Sequence, residues 1–447
     1  KQQLDKNEKR RVQLLSGEYT HEQKQALETE TNQLLEKYQD IQTQIRRNSP
    51  RYAAITQPQP LTLQQIQQQI LDENTILLEY SLGEEKSYLW AVSQTEITSY
   101  ELPKNTEIET LIKDFRREIT NQISSPKQLA KVAAPLTKIL IEPVSKKLGN
   151  KRLLIVGDGA LQYIPFAALS VPNSQEYQPL IVNHEIVTLP SASTLSLIRT
   201  EKKDRKSNLK TIAILADPVF TKDDQRLTQK GKIIKTNTDN LENLALKRAT
   251  ANTNIQFDRL PFTRQEAETI AKLVPKNQSL LAYDFTANRD FITNQKLHEY
   301  RILHFATHGI LDSVQPELSG LVLSLFNEKG EPENGFLRLH DVFNLNLSAE
   351  LVVLSACKTG LGKEIKGEGL VGLTTGFMYA GSSQVITSLW NVDDQGTSIL
   401  MEKFYQNMLK QGLKPSAAMR KAQLEMLTTQ WSKPYFWAAF TVQGDWK

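Results

Sequence analysis

The 447-residue sequence has a single cysteine, Cys357, and only six histidines. One cysteine excludes an intramolecular disulfide framework and any multi-cysteine zinc site. It also fits a reducing compartment, so a cytoplasmic location is expected. Charge of one sign is not in excess: 54 basic against 50 acidic side chains leave +4. That balance gives no reason to expect direct nucleic-acid binding. Long apolar runs are missing too. The longest uncharged stretch, Gly369–Val392, is interrupted by Thr374, Thr375, Ser382, Ser383 and Gln384, so a membrane span is rejected. Glycine and proline, at 20 and 18 residues, are too sparse for a collagen-like or low-complexity chain. What is present is a globular balance of 39% apolar and 23% charged residues. The length alone predicts roughly three domains of about 150 residues each. Lys1 in place of Met predicts a part of a longer protein, with no signal peptide at its start.

Residues 1–60 read as a helical hairpin. Leu27, Thr31, Leu34, Tyr38, Ile41 and Ile45 recur at alternating steps of four and three, the seam of a helix that packs on another. Lys1–Leu15 supplies the partner. Such a hairpin either caps the following domain or ends a helical repeat array. Pro50, Pro58 and Pro60 break the helix, and apolar strands then alternate with helices. Residues 61–205 form one α/β lobe, with a hairpin at Thr75–Tyr80 and Ser87–Val92 and strands at Arg152–Val156 and Ile181–Leu189. Residues 206–447 form a second, with 221–254 as a mobile polar loop. Its strands are expected at Thr211–Ala216, Ile302–Phe305, Gly320–Leu325, Leu351–Ser355, Gln384–Leu389 and Phe436–Val442. The fold class is α/β, a mostly parallel sheet flanked by helices.

Ligands of such sheets bind beyond the carboxyl ends of the strands. There the second lobe offers Thr307-His308-Gly309, then Cys357-Lys358-Thr359-Gly360, then Asn391-Val392-Asp393-Asp394. A thiolate is a nucleophile that a neighbouring imidazole generates, so Cys357 and His308 are the candidate nucleophile and base. The backbone N–H groups of Gly309 and Cys357 are the candidate oxyanion donors. The plain alternative for Cys357 is a small buried hydrophobe. His304, inside its strand, is expected to be a hydrogen-bonded core residue. His298 and His340 are expected on the surface, and His184 lies in the other lobe. Asp393 and Asp394 either cap the next helix or line a pocket for a basic side chain. No histidine pair has zinc spacing, and neither a metal nor another cofactor is expected. Gly367-Glu368-Gly369-Leu370-Val371-Gly372 matches G-x-G-x-x-G. It stands too far from its strand for a dinucleotide turn, and Glu368 at the helix start repels phosphate. A mobile loop, Lys358–Lys366, and close helix–strand packing account for these glycines better.

The second lobe resembles the CHAT family of caspase-like cysteine peptidases. The motifs that carry the resemblance are His304–Gly309 (HFATHG), Leu351–Gly360 (LVVLSACKTG), Gly367–Gly372 (GEGLVG), Leu389–Asp394 (LWNVDD) and Phe436–Phe440 (FWAAF). Upstream it extends through Leu77–Gly83 and Gly157–Leu169, covering about residues 50 to 447. The resemblance implies a His308–Cys357 dyad, a preceding tetratricopeptide repeat array, and a first lobe that is a pseudo-peptidase partner, its central strand ending at Asp158. Leu389–Asp394 also resembles the matching segment of separase, a distant relative that cleaves after arginine, and the acid of the S1 pocket there falls on Asp394. Caspase-like peptidases of basic specificity often carry Asp two residues before the cysteine, where this sequence has Ser355. The expected function is therefore a cysteine endopeptidase acting on protein substrates, with a basic P1 residue and regulation by upstream repeats or a partner protein. A catalytically silent scaffold and a nucleotide-binding domain are the alternatives.

Overall fold

The computed structural model of the chain describes residues 60–174, 176–203, 210–228, 257–294, 296–312, 319–355, 357–361 and 368–447, with separate helical positions between 22 and 40. Most of the expected N-terminal hairpin and residues 229–254 of the expected loop lie outside the described residues. In the first lobe the strands are β1 (Thr75–Ser81), β2 (Ser87–Val92), β3 (Ile97–Leu102), β4 (Arg152–Val156) and β5 (Ile186–Thr188). The next are β6 (Lys210–Pro218), β7 (Ser279–Asp284), β8 (Tyr300–Ala306), β9 (His308–Asp312) and β10 (Gly320–Val322). The last are β11 (Phe336–Arg338), β12 (Leu351–Leu354), β13 (Cys357–Leu361), β14 (Gln384–Ser388) and β15 (Phe440–Gly444). The main helices are α1 (Asn105–Ile119), α2 (Pro126–Leu140), α3 (Ala192–Lys203), α4 (Pro261–Ala271), α5 (Glu368–Ala380), α6 (Asp394–Tyr405) and α7 (Pro415–Met426).

The two lobes share one 11-stranded sheet, ordered β3-β2-β1-β4-β5-β15-β14-β12-β8-β6-β7. This is the α/β fold expected, but the lobes are continuous through the β5–β15 pair. β15 runs parallel to β5 and antiparallel to β14. The parallel strands β1, β4, β5 and β15 therefore run opposite to β14, β12, β8, β6 and β7, and the carboxyl ends of the two sets lie on opposite edges. Asp158, just past β4, stands on the edge away from β8 and β12; its Oδ2 accepts from the Leu82 N–H at 2.8 Å.

Near-continuous apolar strands arise because both faces are covered. On one face Ile212, Ile214, Ile302, Ala306, Val353 and Ile386 pack in a core with Leu400, Phe404 and Tyr405 of α6. On the other, Ala213, Leu215, Leu303, Phe305 and Leu354 pack with Leu373 and Phe377 of α5. The chain enters β14 through Gly381, at φ +118°, where an added Cβ would sit 2.0 Å from the Leu347 carbonyl oxygen. Gly381→Ala should cost about 2 kcal/mol or more, from backbone strain plus this clash. A denaturant midpoint equal to wild type's would contradict that.

Three expected elements differ. Residues 181–189 break at Asn183, because a 3₁₀ turn (Leu180–Val182) precedes the short β5 and the ring of His184 holds the Lys151 carbonyl at 2.8 Å. Pro434 starts a helical turn, Pro434–Trp437, so the last strand begins at Phe440 instead of Phe436. Residues 358–361, expected in a mobile loop, belong to β13. Among the described residues, no helix is long and apolar enough to cross a membrane.

Candidate active site

β8 and β12 end side by side in the large sheet, and both chains then enter a second, four-stranded sheet, ordered β11-β10-β9-β13. His308 is the first residue of β9 and Cys357 the first of β13. The two strands are parallel, and His308 and Cys357 are register partners. Each stands just past a strand of the large sheet, as expected, and also starts a new strand of the small one. Gly309 is held inside the small sheet, opposite Leu321 of β10 and Lys358 of β13.

His308 is buried, at 6% exposure, between two rings. Phe220 lies 4.9 Å away and Phe257 5.4 Å away, centroid to centroid. Nε2 is 2.7 Å from the backbone carbonyl oxygen of Asp258. A carbonyl only accepts, so in the neutral ring Nε2 carries the proton and Nδ1 keeps its lone pair. Nδ1 has no hydrogen-bond partner among the described residues. Burial lowers the pKa of the imidazole, while the Asp258 carbonyl and the charge of the Asp258 carboxylate act in the opposite direction. Burial thus favours the neutral ring, whose accepting nitrogen is open among the described residues.

His304 is wholly buried on the α4–α6 face of β8. Its Nδ1 meets the Tyr405 hydroxyl at 3.0 Å and its Nε2 lies 2.7 Å from Oε1 of Glu266, itself buried on α4. This is the core role expected. His304→Asn leaves the Glu266 carboxylate buried without its imidazole and should cost on the order of 3 kcal/mol of stability. Denaturation and alkylation together check this: a well-folded His304→Asn protein whose Cys357 reacts as slowly as in His308→Ala would reverse the two roles. His340, expected on the surface, is buried, with Nε2 3.6 Å from Asp341, because its short helix (Leu339–Val342) packs under α5. His298 is exposed.

Asp393 caps α6, its Oδ1 accepting from the Gly396 N–H at 2.7 Å. Asp394 opens the same helix and reaches across to α4, where Oδ2 accepts from the Phe262 N–H at 3.0 Å. Burial pushes the Asp394 carboxyl up to about 6; the Phe262 bond opposes this, and the charges of Glu266, Asp393 and Asp217 add to it. No described cation pairs with Asp394. Ser355 is buried past the end of β12, and its Oγ makes no hydrogen bond among the described residues. Gly372 and Gly376 bring α5 against Leu339, where an added Cβ would lie 3.1 and 2.8 Å from that side chain. Gly372 of the Gly-rich motif thus serves packing, but against a short helix where packing on a strand was expected. Among the described residues, no three His, Cys, Asp or Glu side chains gather as metal ligands do.

The sequence reading missed the segment 257–264, which ties these parts together. Phe257 packs on His308, Asp258 holds its Nε2, Phe262 binds Asp394, and Arg259 and Arg264 ion-pair with the buried Asp217. Asp217 lies at the carboxyl end of β6, so the strand-end rule that found His308 also points to it.

The tetratricopeptide repeat protein 28 of Mus musculus and that of Homo sapiens are both 24% identical to this chain, over 337 and 336 residues. Each match covers 66% of the chain but only 12% of the relative. Among solved structures, the Saccharomyces cerevisiae separase–securin complex is similar at 11% identity and a TM-score of 0.51. That match covers 89% of this chain and 31% of the other, and it is a likeness of fold. The profile of the CHAT domain matches residues 130–445, the greater part of the chain, and the chain belongs to the CHAT domain family.

Proposed function

We propose that this chain is a cysteine endopeptidase in which His308 activates Cys357 for attack on a peptide carbonyl. The observation that carries the reading is the register pairing of Cys357 with His308. Register partners on neighbouring strands have backbones about 4.8 Å apart. The tautomer of His308 adds to it, since an open Nδ1 in a neutral ring is what a general base requires. The thiol proton passes to Nδ1, sulfur adds to the carbonyl carbon, and the imidazolium returns the proton to the leaving amine. Water then attacks the acyl-enzyme, giving its proton to the same nitrogen, and the thiol is re-formed. The oxyanion donors are the backbone N–H groups of Gly309 and Cys357.

Asp394 is the acid that selects a basic P1 residue, with Asp393 as its helix cap and Ser355 beside the nucleophile strand. A half-buried carboxylate with three other acids near it and no described cation paired with it is suited to receive a guanidinium. Residues 61–205 act as a non-catalytic partner lobe, a role supported by the opposed direction of their strands. Regulation comes from upstream repeats or a partner protein. The repeat-protein name of the two relatives supports the first, and securin bound to separase supports the second.

A fluorogenic peptide panel varied at P1 tests the reading. Cleavage after Arg, ahead of Lys and far ahead of apolar residues, is expected. A preference for an apolar P1 removes the Asp394 assignment, and no cleavage of any peptide or denatured protein, with or without the upstream repeats, favours a binding module.

A further inference from the structure

The hydrogen bond that fixes His308 is made by the backbone carbonyl of Asp258, whose carboxylate adds only its charge, so something must hold that backbone. Residues 257–260 form a strap that crosses the carboxyl edge of β6 and β8 before α4 starts at Pro261. Between Phe257 and the helix, the side chain that ties the strap to the sheet is Arg259. Its Nε donates to Oδ1 of Asp217 at 2.9 Å and its Nη2 to Oδ2 at 2.7 Å, a two-point grip. Asp217 is a rigid anchor. It is wholly buried at φ +49°, its N–H donates to Thr263 Oγ1 at 3.1 Å, and its carboxylate also takes Arg264 at 2.9 Å and Arg226 at 3.1 Å. Arg226 and Arg264 both continue to Asp284 at the end of β7, whereas Arg259 ion-pairs with Asp217 alone among the described residues.

We infer that Arg259, gripped by Asp217, is a positioning residue for His308: it holds the Asp258 carbonyl against Nε2 and so keeps Nδ1 as the nitrogen that accepts a proton. The inference rests on the peptidase reading for its consequence, because only a base needs that nitrogen open. Its physical content is separate, since the strap sets the tautomer whether or not a peptide is cut. The carbonyl also stabilises the imidazolium that accompanies a thiolate. Without it the thiolate forms at higher pH. Outer partners of this kind, when removed, typically cost about 10–100-fold in the function of the group they orient.

Arg259→Ala is a clean variant because Arg226 and Arg264 remain on Asp217. Two readouts are taken on the whole chain: the His308 tautomer by nitrogen NMR of histidine-labelled protein, and the rate of Cys357 alkylation by iodoacetamide against pH. In wild type, Nε2 is expected to carry the proton. In Arg259→Ala the tautomers should mix, alkylation at pH 7 should fall about tenfold, and its midpoint should move about one unit upward. Arg259→Lys, which restores charge without the two-point grip, should fall between. An unchanged tautomer and pH profile in Arg259→Ala, or a lower melting temperature with the profile unmoved, overturns the inference and leaves the dyad standing. Wild type that alkylates no faster than His308→Ala removes the dyad instead, and the tautomer still decides the role of Arg259.

Discussion

Cys357→Ala and His308→Ala should each abolish peptide cleavage, by about a thousandfold or more, while the protein stays folded. A nucleophile and its base act as one unit, so either loss should cost nearly as much as both. His308 makes its expected contribution through Nδ1, which no described residue occupies, and through a ring clamped by Phe220 and Phe257. Its replacement by Ala leaves a gap between those two rings and is expected to lower stability. His308→Gln, which fills part of the space, is therefore the companion variant and should be as inactive as His308→Ala. The double variant Cys357→Ala/His308→Ala should be no slower than the single ones. More than a few per cent of wild-type activity in a folded single variant would sink the pair.

Asp394→Asn should lose a few hundredfold or more in cleavage after Arg and at the same time become more stable. Removing one partner of a buried ion pair typically costs about 3–5 kcal/mol, which sets the first figure. The second follows from linkage. The Asp394 carboxyl sits at about 6 in the folded protein against an ordinary 3.8, so the folded state binds its proton more tightly than the unfolded chain. The stability this gives is fully present below about pH 4 and is lost as pH rises through about 6. At pH 7 the wild type therefore holds an unfavourable buried charge. Asparagine keeps an oxygen for the Phe262 N–H without that charge. Discounted for partial exposure, the gain is about 1–2 kcal/mol at pH 7 and vanishes below pH 4. Chemical denaturation at both pH values and kcat/KM on Arg and Leu peptides measure the two halves. Unchanged Arg cleavage with raised stability would make Asp394 a helix contact only.

The parallel strands and the residues beyond their ends were legible because short, near-continuous apolar runs mark β4, β6, β12 and β14. β9 and β13 were not, for a local reason. His308-Gly309-Ile310-Leu311-Asp312 and Cys357-Lys358-Thr359-Gly360-Leu361 mix glycine and charge with few apolar positions, and such runs read as loops. They become strands because each follows a buried strand of the large sheet and pairs with the other. The opposed halves were hidden for another reason: direction is decided by β15 pairing at once with β5 and β14, a contact far apart in sequence. His340 read as exposed beside Arg338 and Asp341, yet Leu339 and Val342 belong to the core and the glycines of α5 let that helix close over its turn. The doublet Asp393-Asp394 was legible as cap plus second acid, and the capping half is what Asp393 does. The strap at 257–260 had no periodic pattern to announce it.

The most direct test of the His308–Cys357 pair is the pH dependence of Cys357 alkylation in wild type and His308→Ala. The single cysteine makes the reaction site unambiguous. The account predicts a wild-type thiol that reacts rapidly at or below pH 7, and a His308→Ala thiol whose midpoint has moved to about 8.5, the value of an unassisted cysteine. Two superimposed profiles, both centred near about 8.5, would contradict it.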